Sequence, residues 1–161
     1  MEDYKEICLT YYRRANKRII TLVSGLDELY YVNGLYDVWT SLEAYLNFRG
    51  YKKNRSKFAQ DYNFLFERWK RTSLFNQSIK ILIAESPVQN MDTKKDFYLT
   101  DDKDLRKILD FAFVPRGNLI HGDKGLLKRD KEGQRNRNLV EHSFKVIHEI
   151  LEMFLLNEGW I

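Results

Sequence analysis

Apolar residues recur every three or four positions along much of this chain, which is the spacing of one face of an α-helix. The first such stretch covers residues 3 to 24 and has Asp3 as its predicted cap. A short connection containing Asn33 and Gly34 follows, and the helical spacing resumes over residues 35 to 47. The chain is therefore predicted to begin with two amphipathic helices joined by a short connection.

The middle of the chain combines a helical stretch with an irregular one. Helical spacing runs from Ser56 to Ile83, and it fits either one long helix or two. Residues 86 to 100 contain a proline and many polar residues without a regular period, which predicts a loop. Three residues are expected to dock this loop on the core: Phe97, Tyr98 and Leu99.

The last third of the chain contains two further predicted helices. A short one covers residues 102 to 112. Pro115 suits the first turn of a helix, so residues 116 to 121 are predicted to form a short helical turn that Gly122 closes. A long amphipathic helix is predicted over residues 138 to 157, because Asn138 and Glu141 resemble a capping box.

Composition supports a helical fold. The chain has 161 residues, of which 43% are hydrophobic, and only 8 glycines and 2 prolines, which favours long helices over a turn-rich sheet. We predict a single all-α domain over residues 1 to 161, an antiparallel bundle of four to five helices. The single cysteine, Cys8, and the absence of a signal peptide or a long apolar run predict a soluble cytoplasmic protein without a membrane partner.

The net charge of +4 comes largely from two basic runs. Such runs provide the electrostatic attraction that RNA requires, although they are also common in solvated loops, and both interpretations stay open. The basic residues predicted to bind RNA are Lys52, Lys53 and Arg55 in the first run, and Lys124, Lys128, Arg129, Arg135 and Arg137 in the second.

The second run follows an unusual segment, PRGNLIHGDK, at residues 115 to 124. Metal-free RNA cleavage requires a base, an acid and a cation, which histidine and arginine can supply near neutral pH. Arg116 and His121 are separated by roughly 140° around a helix, so a single copy directs them poorly at one target. A homodimer would bring two of each to one shared cleft.

The segment RGNLIHGDK resembles the Arg, four to six residues, His signature of HEPN domains, and the layout of helices around it is similar. The resemblance implies a helical, dimeric, metal-independent endoribonuclease without a cofactor, of the kind found in toxin–antitoxin and antiviral defence systems. It implies that Arg116 and His121 are the catalytic pair and that Asn118 is a polar helper. It also suggests an antitoxin or a nucleotidyltransferase as a protein partner.

Two residues leave alternatives open. Gly117 stands where HEPN domains usually have a polar residue, and some of those domains bind nucleotide, RNA or a protein partner without cutting RNA. A purely structural helical protein is a third interpretation.

Glu43 lies on the predicted inner side of the second helix, where it either orients Arg116 or His121 or pairs with an ordinary basic neighbour. His142 and His148 lack the spacing of a helical metal site, so no metal is predicted.

Overall fold

The structure is a computed structural model, and it describes residues 3 to 20, 28 to 120 and 130 to 161. These residues form an all-α helical bundle, as predicted, with six helices instead of four to five and one small strand pair. The elements are α1 (Tyr4–Ile20), α2 (Glu28–Phe48), α3 (Arg55–Arg68), α4 (Ser73–Ala84), β1 (Val88–Gln89), β2 (Asp96–Phe97), α5 (Leu105–Ile120) and α6 (Lys131–Asn157). None of the described helices combines the length and the apolar character needed to cross a membrane.

Helix α6 lies at the centre of the bundle. It packs against α2, α4 and α5, while α1 packs against α2 and α3 against α5. The shared core is strongly aromatic, because long helices that carry large side chains on one face bury that face against each other. The largest fully buried aromatic residues are Trp39, Tyr45, Phe58, Phe66, Phe75, Phe111, Phe144 and Phe154.

The first two helices differ from the prediction at their junction. Asp3 caps α1 as expected, since its carboxylate accepts a hydrogen bond from the backbone N–H of Glu6 at 3.1 Å. The predicted connection at Asn33 and Gly34 is wrong, because both residues lie inside α2. Gly34 is there for close packing: a Cβ at this position would lie 2.8 Å from the Phe144 ring.

The middle stretch is two helices. Helix α3 ends at Arg68, and Thr72 caps α4 by accepting a hydrogen bond from the backbone N–H of Phe75. The connection between them is held by Glu149 of α6, which is 5% exposed. Its carboxylate accepts hydrogen bonds from the Trp69 indole at 3.1 Å and from the Thr72 backbone N–H at 2.9 Å.

The loop predicted over residues 86 to 100 contains a two-residue antiparallel pair, β1 with β2. Val88 and Leu99 are 3% and 1% exposed, so they anchor this segment on the core, and Phe97 packs beside them. Tyr98 is 61% exposed, so its predicted docking is wrong. Side chains alternate between the two faces of an extended segment, which explains why Tyr98 points away while its neighbours are covered.

Helix α5 continues through Pro115 to Ile120, so the predicted end at residue 112 and the predicted start of a separate turn at residue 116 are wrong. His121 and Gly122, which was predicted to close that turn, lie outside the described residues. Proline inside a helix removes one hydrogen bond and costs about 3 kcal/mol. Burial offsets this cost, because Phe111, Ala112 and Val114 are at most 1% exposed and hold both sides of the proline against the core.

Helix α6 begins at Lys131, seven positions before the predicted start. Its cap is Asp130, whose side chain accepts a hydrogen bond from the backbone N–H of Gly133 at 2.9 Å. The predicted capping box at Asn138 and Glu141 is wrong. The Asn138 amide instead donates to the Glu85 carboxylate at 3.1 Å, at the end of α4.

Candidate functional site

Arg116 lies in the last turns of α5, and its side chain is 21% exposed. Its Nη1 atom lies 3.4 Å from Oε1 of Glu43, on α2. Its guanidinium carbon lies 5.5 Å from the centre of the Phe113 ring, one helical turn earlier. Arg116 is therefore held between a carboxylate and an aromatic ring. Its contact with Glu43 is one of the three pairings that the sequence left open for Glu43.

Arg55, the first residue of α3, meets the same ring. Its guanidinium carbon lies 3.7 Å from the centre of Phe113, which is close cation–π contact. Its nearest carboxylate oxygen, on Asp110, is 4.0 Å from Nη2. Burial lowers the pKa of the Arg55 guanidinium, and the neighbouring carboxylates of Asp110 and Glu43 oppose this effect. Arginine stays charged at neutral pH, so Arg55 is a partly buried cation that has no close ion pair with any residue the structure describes.

Arg55 and Arg116 face one cleft with a volume of about 750 Å³. This is the size of a small-molecule or nucleotide site. Among the described residues that line it, four are basic and one is acidic, which gives this lining a positive excess. The residues that line it are Tyr4, Glu43, Leu46, Asn47, Lys52, Lys53, Arg55, Phe113 and Arg116.

The turn between α2 and α3 brings Lys52 and Lys53 to this cleft. Gly50 ends α2 with a φ of 80°, a left-handed conformation that glycine adopts without strain. Lys52 is also left-handed, with a φ of 36°, which is unusual for a residue with a side chain. Asn54 then caps α3 by accepting a hydrogen bond from the backbone N–H of Lys57. The turn thus holds two exposed lysines beside Arg55.

Asn118 lies on the other side of α5 from Arg116, since two positions on a helix are separated by roughly 200°. It is 9% exposed, and its side-chain amide makes two hydrogen bonds to the backbone of β1 and the residues that follow it. It donates to the carbonyl oxygen of Gln89 and accepts from the backbone N–H of Met91, both at 2.9 Å. Asn118 therefore fixes this segment against α5, and it does not line the cleft.

The second basic run is only partly described. His121, Lys124, Lys128 and Arg129 lie outside the described residues. Arg135 and Arg137 are on α6, and neither lines the cleft. Arg135 lies 3.4 Å from the Glu85 carboxylate and donates to the Glu85 carbonyl oxygen at 2.8 Å, so it caps the end of α4. Arg137 donates to Gln134 on the same helix.

The other two histidines lie away from the cleft. His142 shares a hydrogen bond of 3.0 Å with Ser78, and burial lowers its pKa. His148 stacks on Tyr12 with ring centres 5.4 Å apart, and burial lowers its pKa to about 4. Both side chains belong to the packing between helices. Among the described residues, no group of three or more histidine, cysteine or carboxylate side chains could hold a metal ion.

Sequence reasoning missed Phe113, Asp110 and Tyr4 as neighbours of the basic residues. Phe113 carries a usable signal, because it lies three positions before Arg116 and therefore on the same face of α5. No sequence pattern predicts that Arg116 and Arg55 are neighbours, because their proximity depends on how α3 packs against α5. Comparison with protein-family models, curated proteins and solved structures finds no match to this chain.

Proposed function

We propose that this protein is a metal-independent endoribonuclease that cleaves single-stranded or loop RNA. The observation that carries the proposal is the cleft itself: Arg116 of the HEPN-like segment and the three predicted RNA-binding residues of the first basic run line it together. Partly buried arginines can bind a phosphate through their positive charge. They can also stabilise the negative charge that develops on that phosphate during cleavage.

In the proposed reaction the ribose 2′-oxygen attacks the neighbouring phosphorus, and the bond from phosphorus to the 5′-oxygen breaks. A base removes the proton of the 2′-hydroxyl, an acid gives a proton to the departing 5′-oxygen, and Arg116 stabilises the pentavalent phosphate. The products are a 2′,3′-cyclic phosphate and a 5′-hydroxyl. His121 supplies the base and the acid, one from each chain of a homodimer.

The remaining site residues have supporting roles in this proposal. Glu43 orients the Arg116 guanidinium through the contact of 3.4 Å. Asn118 acts as a positioning residue, because its two hydrogen bonds hold the β1 segment against the helix that carries Arg116. The second basic run extends the RNA path. A role in toxin–antitoxin or antiviral defence, with an antitoxin or nucleotidyltransferase partner, follows from the HEPN resemblance alone.

The test is the cleavage of an end-labelled RNA of mixed sequence in EDTA, by wild type and by His121→Ala prepared identically. We expect fragments with cyclic phosphate ends from the wild type only, because the variant lacks the acid and base. Equal cleavage by both proteins would refute the role of His121. Cleavage that EDTA abolishes would refute the metal-independent mechanism.

A second candidate function is a non-catalytic module that binds nucleotide, RNA or a protein partner in the same cleft. Two observations favour it: Gly117 replaces a residue that is usually polar in HEPN domains, and the Asn118 amide is committed to the β1 segment. This function predicts tight RNA or nucleotide binding without products, unchanged in His121→Ala. Electrophoretic mobility shifts on the same RNA would measure that binding.

A further inference from the structure

The two arginines of the cleft share an unusual environment. Both guanidinium groups contact the Phe113 ring, Arg55 at 3.7 Å and Arg116 at 5.5 Å from its centre. The Nε atom of each is buried and makes no hydrogen bond with any residue that the structure describes. Each therefore retains a buried donor that these residues do not satisfy, so neither guanidinium is fully committed to the protein.

Their ion pairs are loose. The separations of 3.4 Å from Arg116 to Glu43 and 4.0 Å from Arg55 to Asp110 are longer than those of a tight arginine–carboxylate pair, which are about 2.8 Å. Four basic side chains face one carboxylate in the cleft lining. The cleft can therefore neutralise a ligand with several negative charges.

The lysines form a second cationic position at the edge of the cleft. Lys52 and Lys53 are both exposed, in the turn that leads directly into Arg55. Lys52 keeps its left-handed φ of 36° despite carrying a side chain. Strained backbone conformations of this kind cluster at catalytic and ligand-binding sites, where the surrounding structure holds them in place.

Phe113 is unsuited to stacking on bases. Arg55 covers Phe113 at close range, and Trp39 packs edge-on against the same ring, with an angle of 85° between the planes. Phe113 thus aligns the guanidinium groups instead of presenting a free face. The cations beside it suit the phosphate backbone of a nucleic acid, which carries no sequence information.

We propose that each chain binds two consecutive phosphates of one RNA strand in this cleft, without base preference. Arg55 and Arg116 hold the first phosphate, and Lys52 and Lys53 hold the next one. The identity of the first phosphate as the one that is cleaved rests on the proposed function. The binding of two phosphates stands apart from it, because it depends only on the charges and contacts of the cleft.

The test measures the binding of fluorescent 2′-O-methyl oligonucleotides of uridine and of adenosine, which cannot undergo 2′-oxygen attack. We expect Arg55→Lys to weaken both equally, by about tenfold, because the variant keeps the charge and loses the fork of donors. We expect Lys52→Ala with Lys53→Ala to lower the slope of log affinity against log salt by about 0.7, the value for one phosphate on a single strand.

The matched control is Lys70→Ala, an exposed lysine that does not line the cleft, and it should bind like the wild type. Thermal unfolding of each variant verifies that it is folded. If Arg55→Lys does not fold, the double variant Lys52→Ala with Lys53→Ala still tests the inference. Wild-type affinity in both cleft variants would overturn the inference, as would a loss confined to one base. Displacement of the oligonucleotide by a nucleoside diphosphate far more readily than by pyrophosphate would overturn it in favour of a nucleotide site.

These results are separable from those on catalysis. If cleft variants lose affinity while the wild type cleaves no RNA in EDTA, the two-phosphate site stands and the nuclease function fails. If the wild type cleaves RNA and the cleft variants bind normally, the nuclease activity stands, and this inference fails together with the RNA-binding roles of Lys52, Lys53 and Arg55.

Discussion

Two glycines inside helices have opposite surroundings. A Cβ on Gly34 would lie 2.8 Å from the Phe144 ring, whereas a Cβ on Gly117 would meet no described atom within 4 Å. The first glycine allows α2 and α6 to approach, and the second only lowers the helical preference of α5. The same substitution therefore has opposite expected effects at the two sites.

We expect Gly34→Ala to destabilise the protein by about 1–3 kcal/mol, because the Phe144 ring must move within a packed core. Gly117→Ala, its matched control, should stabilise it by up to about 1 kcal/mol. Urea unfolding measures both free energies. A loss of stability in Gly117→Ala equal to that in Gly34→Ala would contradict this account of the packing.

His148 makes stability depend on pH. Burial lowers its pKa to about 4 in the folded protein, from a usual value of 6.5, so the unfolded chain binds more protons between these values. Above pH 6.5 His148 is neutral in both the folded and the unfolded state, and protonation does not reduce stability. As the pH falls from 6.5 to 4, the unfolded chain takes up the proton first, which lowers the free energy of unfolding by about 3 kcal/mol.

We expect His148→Phe, which keeps an aromatic ring against Tyr12, to remove this part of the pH dependence. The measurement is the unfolding free energy of both proteins from pH 7 to pH 4. The difference between variant and wild type should grow in favour of the variant as the pH falls. A constant difference would show that His148 is not the group responsible.

At the scale of elements, one carboxylate holds the α3–α4 connection. Glu149 is buried and accepts hydrogen bonds from Trp69 and from both the backbone N–H and the hydroxyl of Thr72. We expect Glu149→Gln to cost about 2–3 kcal/mol in unfolding free energy, because an amide replaces one acceptor with a donor. Glu67→Gln, an exposed carboxylate on α3, should change it by less than about 0.5 kcal/mol. Equal effects would refute the anchoring role.

The sequence predicted most helices, and its errors have identifiable causes. Asp3 caps α1 as predicted because a cap acts through neighbouring residues. The sequence predicts Gly34 in a connection and Pro115 at the start of a separate helical turn, yet both lie inside longer helices, because tertiary packing outweighs local preference there. Asn138 has the chemistry of a cap, but its amide is used by Glu85, a partner that local spacing does not reveal.

At the scale of the whole molecule, the all-α class followed from few breakers and regular apolar spacing. The meeting of the site residues in one cleft did not follow from the sequence. The sequence left the partner of Glu43 open between Arg116, His121 and an ordinary basic neighbour, and in the structure the half-exposed Glu43 side chain lies beside Arg116. That Arg55 and Arg116 would contact one ring could not be predicted, because the two residues are far apart in the chain and α3 and α5 meet only in the folded bundle.

The proposed reaction requires two copies of the chain, because one copy supplies only His121 as acid or base. We expect a dimer, and sedimentation velocity at micromolar concentration, with and without the 2′-O-methyl oligonucleotide, measures it. A monomer under both conditions would refute a site shared between chains.

The most direct test of the central claim, that the cleft beside Arg116 is where RNA is cut, is the single-turnover cleavage rate of RNA in EDTA for wild type and Arg116→Ala. We expect the variant to be at least about a hundredfold slower, because it lacks the cation that stabilises the pentavalent phosphate. Arg68→Ala, which removes an exposed arginine outside the cleft lining, should cleave at the wild-type rate. An Arg116→Ala protein that is folded and cleaves as fast as the wild type would contradict the account.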